Sequence, residues 1–201
     1  MRSEGIILES ISDSYVKGER SFTQANLSRT TGVSVSAVNK TVNELKRIAA
    51  ADVGRRSFSV IDFQKLLLYW ATHRNLDKDI VYSTSVGMDV SRIESTMPPG
   101  IAFTAFTAYK FLVGEPPADY GEVYVYAGTD AMNIITDRFP PKKGVKNLFV
   151  LKADSFLERR IKNKELAASC VGLPRVFADL WNIRAWYAKE FTNRLLSALV
   201  K

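Results

Sequence analysis

Ser21–Asp62 reads SFTQANLSRTTGVSVSAVNKTVNELKRIAAADVGRRSFSVID, and this stretch decides how the rest of the chain is organised. Gln24–Thr31 predicts a short helix with Ala25 and Leu27 among its apolar contacts. Gly32 supplies a left-handed turn that an ordinary residue resists. Ser34 is placed as the N-cap of a second helix running to about Ala49. Val38, Val42 and Leu45 recur at helical spacing and Ile48 extends the stripe, so that face packs inward. The other face carries Ser36, Asn39, Lys40, Asn43, Lys46 and Arg47, short polar groups first and cations later. A helix meant only for water is more often laced with Glu–Lys pairs. One that enters a major groove wants small donors and acceptors near its start and cations beside them.

Asp52-Val53-Gly54-Arg55-Arg56 then has the make-up of a β-hairpin tip, and Ser57–Ile61 alternates as a returning strand does. Ser21-Phe22-Thr23 is a candidate third strand for that hairpin, with Thr23 capping the next helix. Helix, turn, helix and basic hairpin in this order resemble a winged helix-turn-helix domain. The simpler reading of the same stretch is a small helical domain with a solvated basic turn. Under the first reading Val35, Ser36, Asn39 and Lys40 face base edges, with Asn39 able to pair bidentately with adenine. Arg29, Asn43, Arg47 and the pair Arg55-Arg56 hold phosphates or a minor groove.

The chain has 201 residues, 46% hydrophobic and 24% charged, which is ordinary globular material with room for one large or two modest domains. One cysteine, Cys170, excludes an internal disulfide framework and suits a reducing cytoplasm. No apolar run approaches the ~18–20 residues needed to cross a membrane. The opening MRSEGIILESISDSY carries Glu4, Glu9 and Asp13, unlike a signal peptide, so a cytoplasmic protein without membrane attachment is expected. The net charge of +7 is uneven. Residues 1–62 hold nine Lys and Arg against seven Asp and Glu, residues 63–137 five against nine, and residues 138–201 fourteen against five. Clustered positive charge favours polyanions through counterion release, and is also common on surfaces that meet none.

Around the reader the coarse pattern is mixed. Ile7, Leu8, Ile11, Tyr15 and Val16 predict a first helix over Gly5–Val16, closed by Gly18. Gln64–Ala71 predicts a helix capped by Asp62 and buried on more than one side, with His73 as a surface residue at its end. Ile80–Val86, Glu122–Tyr126 and Asn147–Lys152 predict strands, and Ala131–Arg138 a short helix. Ile101–Leu112 is strand or helix, with the small residues between Phe103, Phe106 and Tyr109 favouring helix; Phe156–Ile161 is open in the same way. Arg175–Val200 predicts one long amphipathic helix, bent near Asn182. The expected fold class is α+β: a winged helix-turn-helix at 1–62, a bridging helix at 63–75, and an α/β effector or antitoxin-like domain at 76–201 ending in that long helix.

Chemistry is sparse. Two-metal nucleotidyl transfer needs paired carboxylates after a Gly-Ser, and Val86-Gly87-Met88-Asp89-Val90 has the glycine without the serine or the second acid. No Gly-rich phosphate loop occurs, Cys170 and His73 are single and far apart, and no residues cluster at metal-ligand spacing. No catalytic residue, metal or cofactor is therefore expected, and an enzyme acting through Asp89, Asp130 or Asp179 is the minor alternative. Tyr120, Tyr124 and Tyr126 can stack bases or fill a core, and Trp181, Trp186 and Tyr187 can line a partner groove or pack a helix. Lys142-Lys143, Lys146 and Arg159-Arg160 form a basic cluster that is either a solvated face or a site for an acidic or nucleic-acid partner.

Three segments together resemble the AbiEi-like regulators, the antitoxins of type IV toxin–antitoxin systems. The winged segment followed by Phe58–Ala71, with its Leu66-Leu67-Leu68-Tyr69-Trp70-Ala71, is similar to that family's reader and the leucine-leucine-x-x-tryptophan-alanine helix behind it. Ala102–Tyr109 is similar to its alanine-rich helix, and Gly172–Leu180 to a late segment in which proline precedes an aromatic-x-Asp-Leu helix start. The resemblance implies a DNA-binding repressor of its own operon, with a C-terminal domain serving an antitoxin or effector role. Its toxin partner is a separate nucleotidyltransferase, which accords with the missing motif here. The expected partners are double-stranded DNA, a second copy of the chain, since operators are commonly read by dimers, and a toxin or other protein through the C-terminal domain. A protein–protein adaptor that uses the winged domain for docking is the other reading.

Overall fold

Helices α1 (Ser3–Val16), α2 (Gln24–Thr31) and α3 (Val35–Arg47) pack on one another, and their boundaries follow from local chemistry. Thr23 Oγ1 accepts the Asn26 N–H at 3.2 Å and Ser34 Oγ the Ala37 N–H at 3.3 Å, each satisfying a helix-start donor. Gly32, at φ 73°, ends α2 and gives its N–H to the Ser28 carbonyl at 2.9 Å. Val38, Val42 and Leu45 are fully buried. In α2 the apolar contact is Leu27; Ala25, expected beside it, is exposed, because an eight-residue helix on a small bundle buries only a narrow stripe. In α1, Ile7, Leu8 and Ile11 are buried and Tyr15 stacks on Phe63 at 4.1 Å, while Val16, expected on the same face, is exposed at the helix end. The structure, a computed structural model, describes residues 3–200.

Strands β1 (Ser21–Phe22), β2 (Ala51–Val53) and β3 (Phe58–Val60) form an antiparallel sheet in the order β1-β3-β2. Phe22 and Phe58, opposite each other in register, stack at 5.5 Å and anchor it. Gly54 gives its N–H to the Ser57 carbonyl at 2.9 Å, which closes the hairpin and leaves Arg55 and Arg56 at the exposed tip. Helix α4 (Phe63–His73) comes next, with Asp62 accepting the Lys65 N–H at 2.9 Å.

The second sheet consists of β4 (Ile80–Thr84), β5 (Ile101–Thr104), β6 (Val123–Ala127) and β7 (Leu148–Lys152), in the order β4-β7-β6-β5. β6 and β7 run parallel; the outer pairings are antiparallel. All five residues of β6 are buried, as a central strand with helices packed on it requires. Helices α5 (Val90–Ser95), α6 (Ala105–Val113), α7 (Thr129–Arg138) and α8 (Ser155–Lys162) are interleaved with these strands. The molecule is thus a mixed α+β fold with two sheets.

Two further expectations are corrected. Ile101–Leu112 is neither strand nor helix throughout: it is β5 as far as Thr104 and α6 from Ala105, whose φ of 51° makes the corner. The C-terminal helix is two helices, α9 (Leu173–Trp181) and α10 (Ala188–Leu199), and α10 folds back on α9. Asn182 makes the break. Its Nδ2 donates to the Ala178 carbonyl at 2.9 Å and to the Ala71 carbonyl of α4 at 3.0 Å, exchanging helix continuation for a tie to α4.

Candidate nucleic-acid interface

The outward face of α3 gathers most of the predicted readers. Val35, Ser36, Asn39, Lys40, Asn43 and Arg47 are all exposed, on the side opposite the buried Val38–Val42–Leu45 stripe. Their polar groups are not independent. Asn43 Nδ2 donates to Asn39 Oδ1 at 2.9 Å, and Asn39 Nδ2 donates to Gln24 Oε1 at 3.2 Å. The three amides form a ladder from the first turn of α2 along α3, which fixes the orientation of Asn39 at the surface. Arg47 pairs with Glu44 at 2.8 Å through Nε alone, which leaves its Nη donors at the exposed end of the side chain. Arg29, exposed on α2, donates to Asn26 Oδ1 at 2.8 Å. Arg55 and Arg56 lie apart from α3 in sequence and stand on the hairpin tip, exposed. Gln24 is not among the readers that the sequence singles out. Its one signal there is its place just after the Thr23 cap, where a side chain projects toward the neighbouring helix.

The aromatic candidates behave differently. Tyr124 and Tyr126 are buried within β6, and Tyr120 stacks on Phe106 with its hydroxyl donating to Glu94 at 2.8 Å. Core packing holds Tyr124 and Tyr126, and Tyr120, half-buried, packs against the same core. Tyr187 gives its hydroxyl to Glu122 and packs on Phe106, whereas Trp181 is half exposed and Trp186 is 82% exposed in the turn between α9 and α10. The basic cluster divides too. Lys142 and Lys143 lie on an exposed loop, with Lys146 donating to the Lys142 carbonyl, while Arg159 stays outside and Arg160 turns inward.

Behind the first three helices lies a buried ionic seam. Arg175 of α9, fully buried, gives Nη1 to Glu9 of α1 at 2.8 Å and Nη2 to Asp154, the N-cap of α8, at 3.0 Å. Its guanidinium carbon sits 4.2 Å from the centroid of the Tyr126 ring. Arg160 reaches Glu9 at 3.0 Å and Asp13 at 2.8 Å. A second centre is Asp179, which accepts from Arg74, the C-cap of α4, at 2.9 Å and from both Thr104 and Tyr126 at 2.7 Å. Burial pushes the Glu9 carboxyl up to about 7 against the pull of Arg175. At Asp154 burial acts the same way, but Arg175 and the Leu157 N–H outweigh it and hold the carboxyl below its ordinary range.

Of the three acids named for an enzyme, Asp89 caps α5 through the Arg92 N–H at 2.7 Å and Asp179 is the hub just described. Asp130 is exposed in the first turn of α7. Burial pushes the Cys170 thiol up to about 12, and it donates to the Ala168 carbonyl, so it stays protonated. His73 is exposed, with its ring against Tyr69. Among the described residues no group of three or more His, Cys, Asp or Glu could hold a metal ion, and no helix is long and apolar enough to cross a membrane. The chain matches no family model, no curated protein and no solved structure.

Proposed function

We propose that the chain is a sequence-specific, double-stranded DNA-binding transcriptional regulator, whose first three helices and small sheet act as a winged helix-turn-helix. The observation that supports this most is the amide ladder on α3. Asn39 is held at the surface between Gln24 and Asn43, on a helix face free of carboxylates in its first two turns. An asparagine so oriented presents one donor and one acceptor, the pattern that matches the N7 and N6 edge of adenine. Entering the groove exchanges its present partners for the base, and Gln24 and Asn43 are then freed for neighbouring bases or phosphates. Arg55 and Arg56 on the hairpin tip supply phosphate or minor-groove contacts that position the helix without reading sequence.

The test is fluorescence anisotropy against the chain's own upstream duplex and a scrambled one, at low and near-physiological salt. The upstream duplex should be preferred, and the preference should survive the higher salt. Asn39→Ala should reduce the preference by about 1–3 kcal/mol, while Arg55→Ala/Arg56→Ala weakens both duplexes by a similar factor. Absence of binding at either salt would overturn the proposal and leave the reader as a protein-docking module.

A further inference from the structure

Arg159 and Arg160 are neighbours in sequence and part company in the fold. Arg160 has a side chain only 14% exposed and is consumed by Glu9 and Asp13. Arg159 remains outside. Its guanidinium lies 5.3 Å from the Phe156 ring centroid and donates to the backbone carbonyl of Thr30, in the last turn of α2. Thr30 adjoins Arg29 and stands four residues before Ser34, the cap from which α3 begins. The contact therefore places the exposed side of α8 beside the end of the reader where the recognition helix starts. Lys162 lies three residues further on the same stripe of α8, exposed and without an ion pair or side-chain hydrogen bond among the described residues. Two acids are nearby. Glu158 turns to Gly128, with its Oε1 3.3 Å from where a Cβ there would sit, and Glu165 accepts from Asn163 at 2.9 Å. The stripe facing α2 is left positive.

We infer that α8 extends the DNA-contacting surface of the reader, with Arg159 and Lys162 as phosphate contacts on the duplex flanking the bases under α3. The inference rests on the DNA-binding reading above. Arg159 is suited to the role because Thr30 and Phe156 already hold its planar fork, so little ordering remains when a phosphate takes its spare N–H groups. Such contacts carry no sequence information and act through counterion release. They give part of the strongly basic C-terminal third a use that an isolated reader would lack.

The experiment measures binding of the full chain to the upstream and scrambled duplexes across a salt series. Arg159→Ala/Lys162→Ala should make the plot of log affinity against log salt shallower by about 1–2 and weaken both duplexes by the same factor, roughly tenfold or more near physiological salt. Lys162→Ala alone, which breaks no ion pair or side-chain hydrogen bond among the described residues, should account for about half of that change in slope. Arg159→Lys should keep most of the slope. An unchanged slope in the double variant, with the wild type binding and responding to Arg55→Ala/Arg56→Ala, would overturn the α8 assignment and leave the regulator reading intact. A loss confined to the preferred duplex would also overturn it, since α8 would then act by positioning α3. A wild type that binds neither duplex would overturn both.

Discussion

Glu9 is fully buried, with one oxygen facing Arg175 and the other Arg160, and its carboxyl still sits near 7 because burial outweighs both cations. A carboxyl raised from 4.5 to about 7 binds an extra proton in the folded chain between those two values. Its contribution to stability is therefore complete below about 4.5 and is lost as pH rises through 7. Burial pushes Asp13 in the same direction, whereas Asp154 is depressed, so its contribution is present above the ordinary carboxylate range and is lost as pH falls. The melting temperature should accordingly decline between about pH 5 and pH 8, with a ceiling of roughly 3 kcal/mol from Glu9, at ~2–4 °C per kcal/mol for a chain of this size. Glu9→Gln should melt lower overall, since Arg175 loses a charged partner, yet show a flatter decline across that window. Thermal scans of the two proteins over a pH series test this; parallel curves would mean that Glu9 stays ionised throughout.

At the scale of elements, two glycines are required for different reasons. Gly32 has open space around its Cα, and what excludes a side chain is its φ of 73° between α2 and α3. Gly172, at the N-cap of α9, has an ordinary φ of −62°, but a Cβ there would lie 2.3 Å from Asp13 Oδ1. Gly32→Ala should cost about 1–2 kcal/mol of conformational strain. Gly172→Ala should cost more, because Asp13 must leave Arg160. Adding Asp13→Ala should shrink the Gly172→Ala penalty and leave that of Gly32→Ala unchanged, a non-additivity that urea midpoints of the single and double variants would resolve. The same contrast explains what the sequence could disclose. The α2–turn–α3 unit is written in caps, a turn glycine and a helical stripe, all local. The β5–α6 corner is not, because Ile101–Tyr109 is buried without interruption and shows neither a two-fold nor a 3.6-fold period. The α9–α10 break is invisible for another reason: the apolar spacing runs on past Asn182, whose partner Ala71 is 111 residues away. In the candidate site the face of α3 is legible in the sequence, whereas the Gln24–Asn39 link and the opposite fates of Arg159 and Arg160 depend on tertiary placement.

At the scale of the molecule, the first three helices and the small sheet share their core with the C-terminal two thirds of the chain. Helix α1 packs on both α3 and α9, and α4 packs on both α1 and α9. Arg175 ties α1 to the start of α8, and Arg74 ties α4 to α9 and β6. Two buried cations that each answer to several elements make partial unfolding costly, since releasing α1 leaves Arg175 and Arg160 in the interior without Glu9. The chain should therefore unfold in one step. Hydrogen exchange followed by mass spectrometry over a urea series should give α3 and β6 the same midpoint. Arg175→Met, which leaves Glu9 and Asp154 facing each other without their shared cation, should lower both midpoints together by about 3–5 kcal/mol of stability. If α3 kept its midpoint while β6 lost its own, the reader would be an independent folding unit and the ionic seam a docking contact between two domains. A common shift would mean that α1 belongs to both halves, so that the placement of α3 is fixed by residues as distant as Arg175.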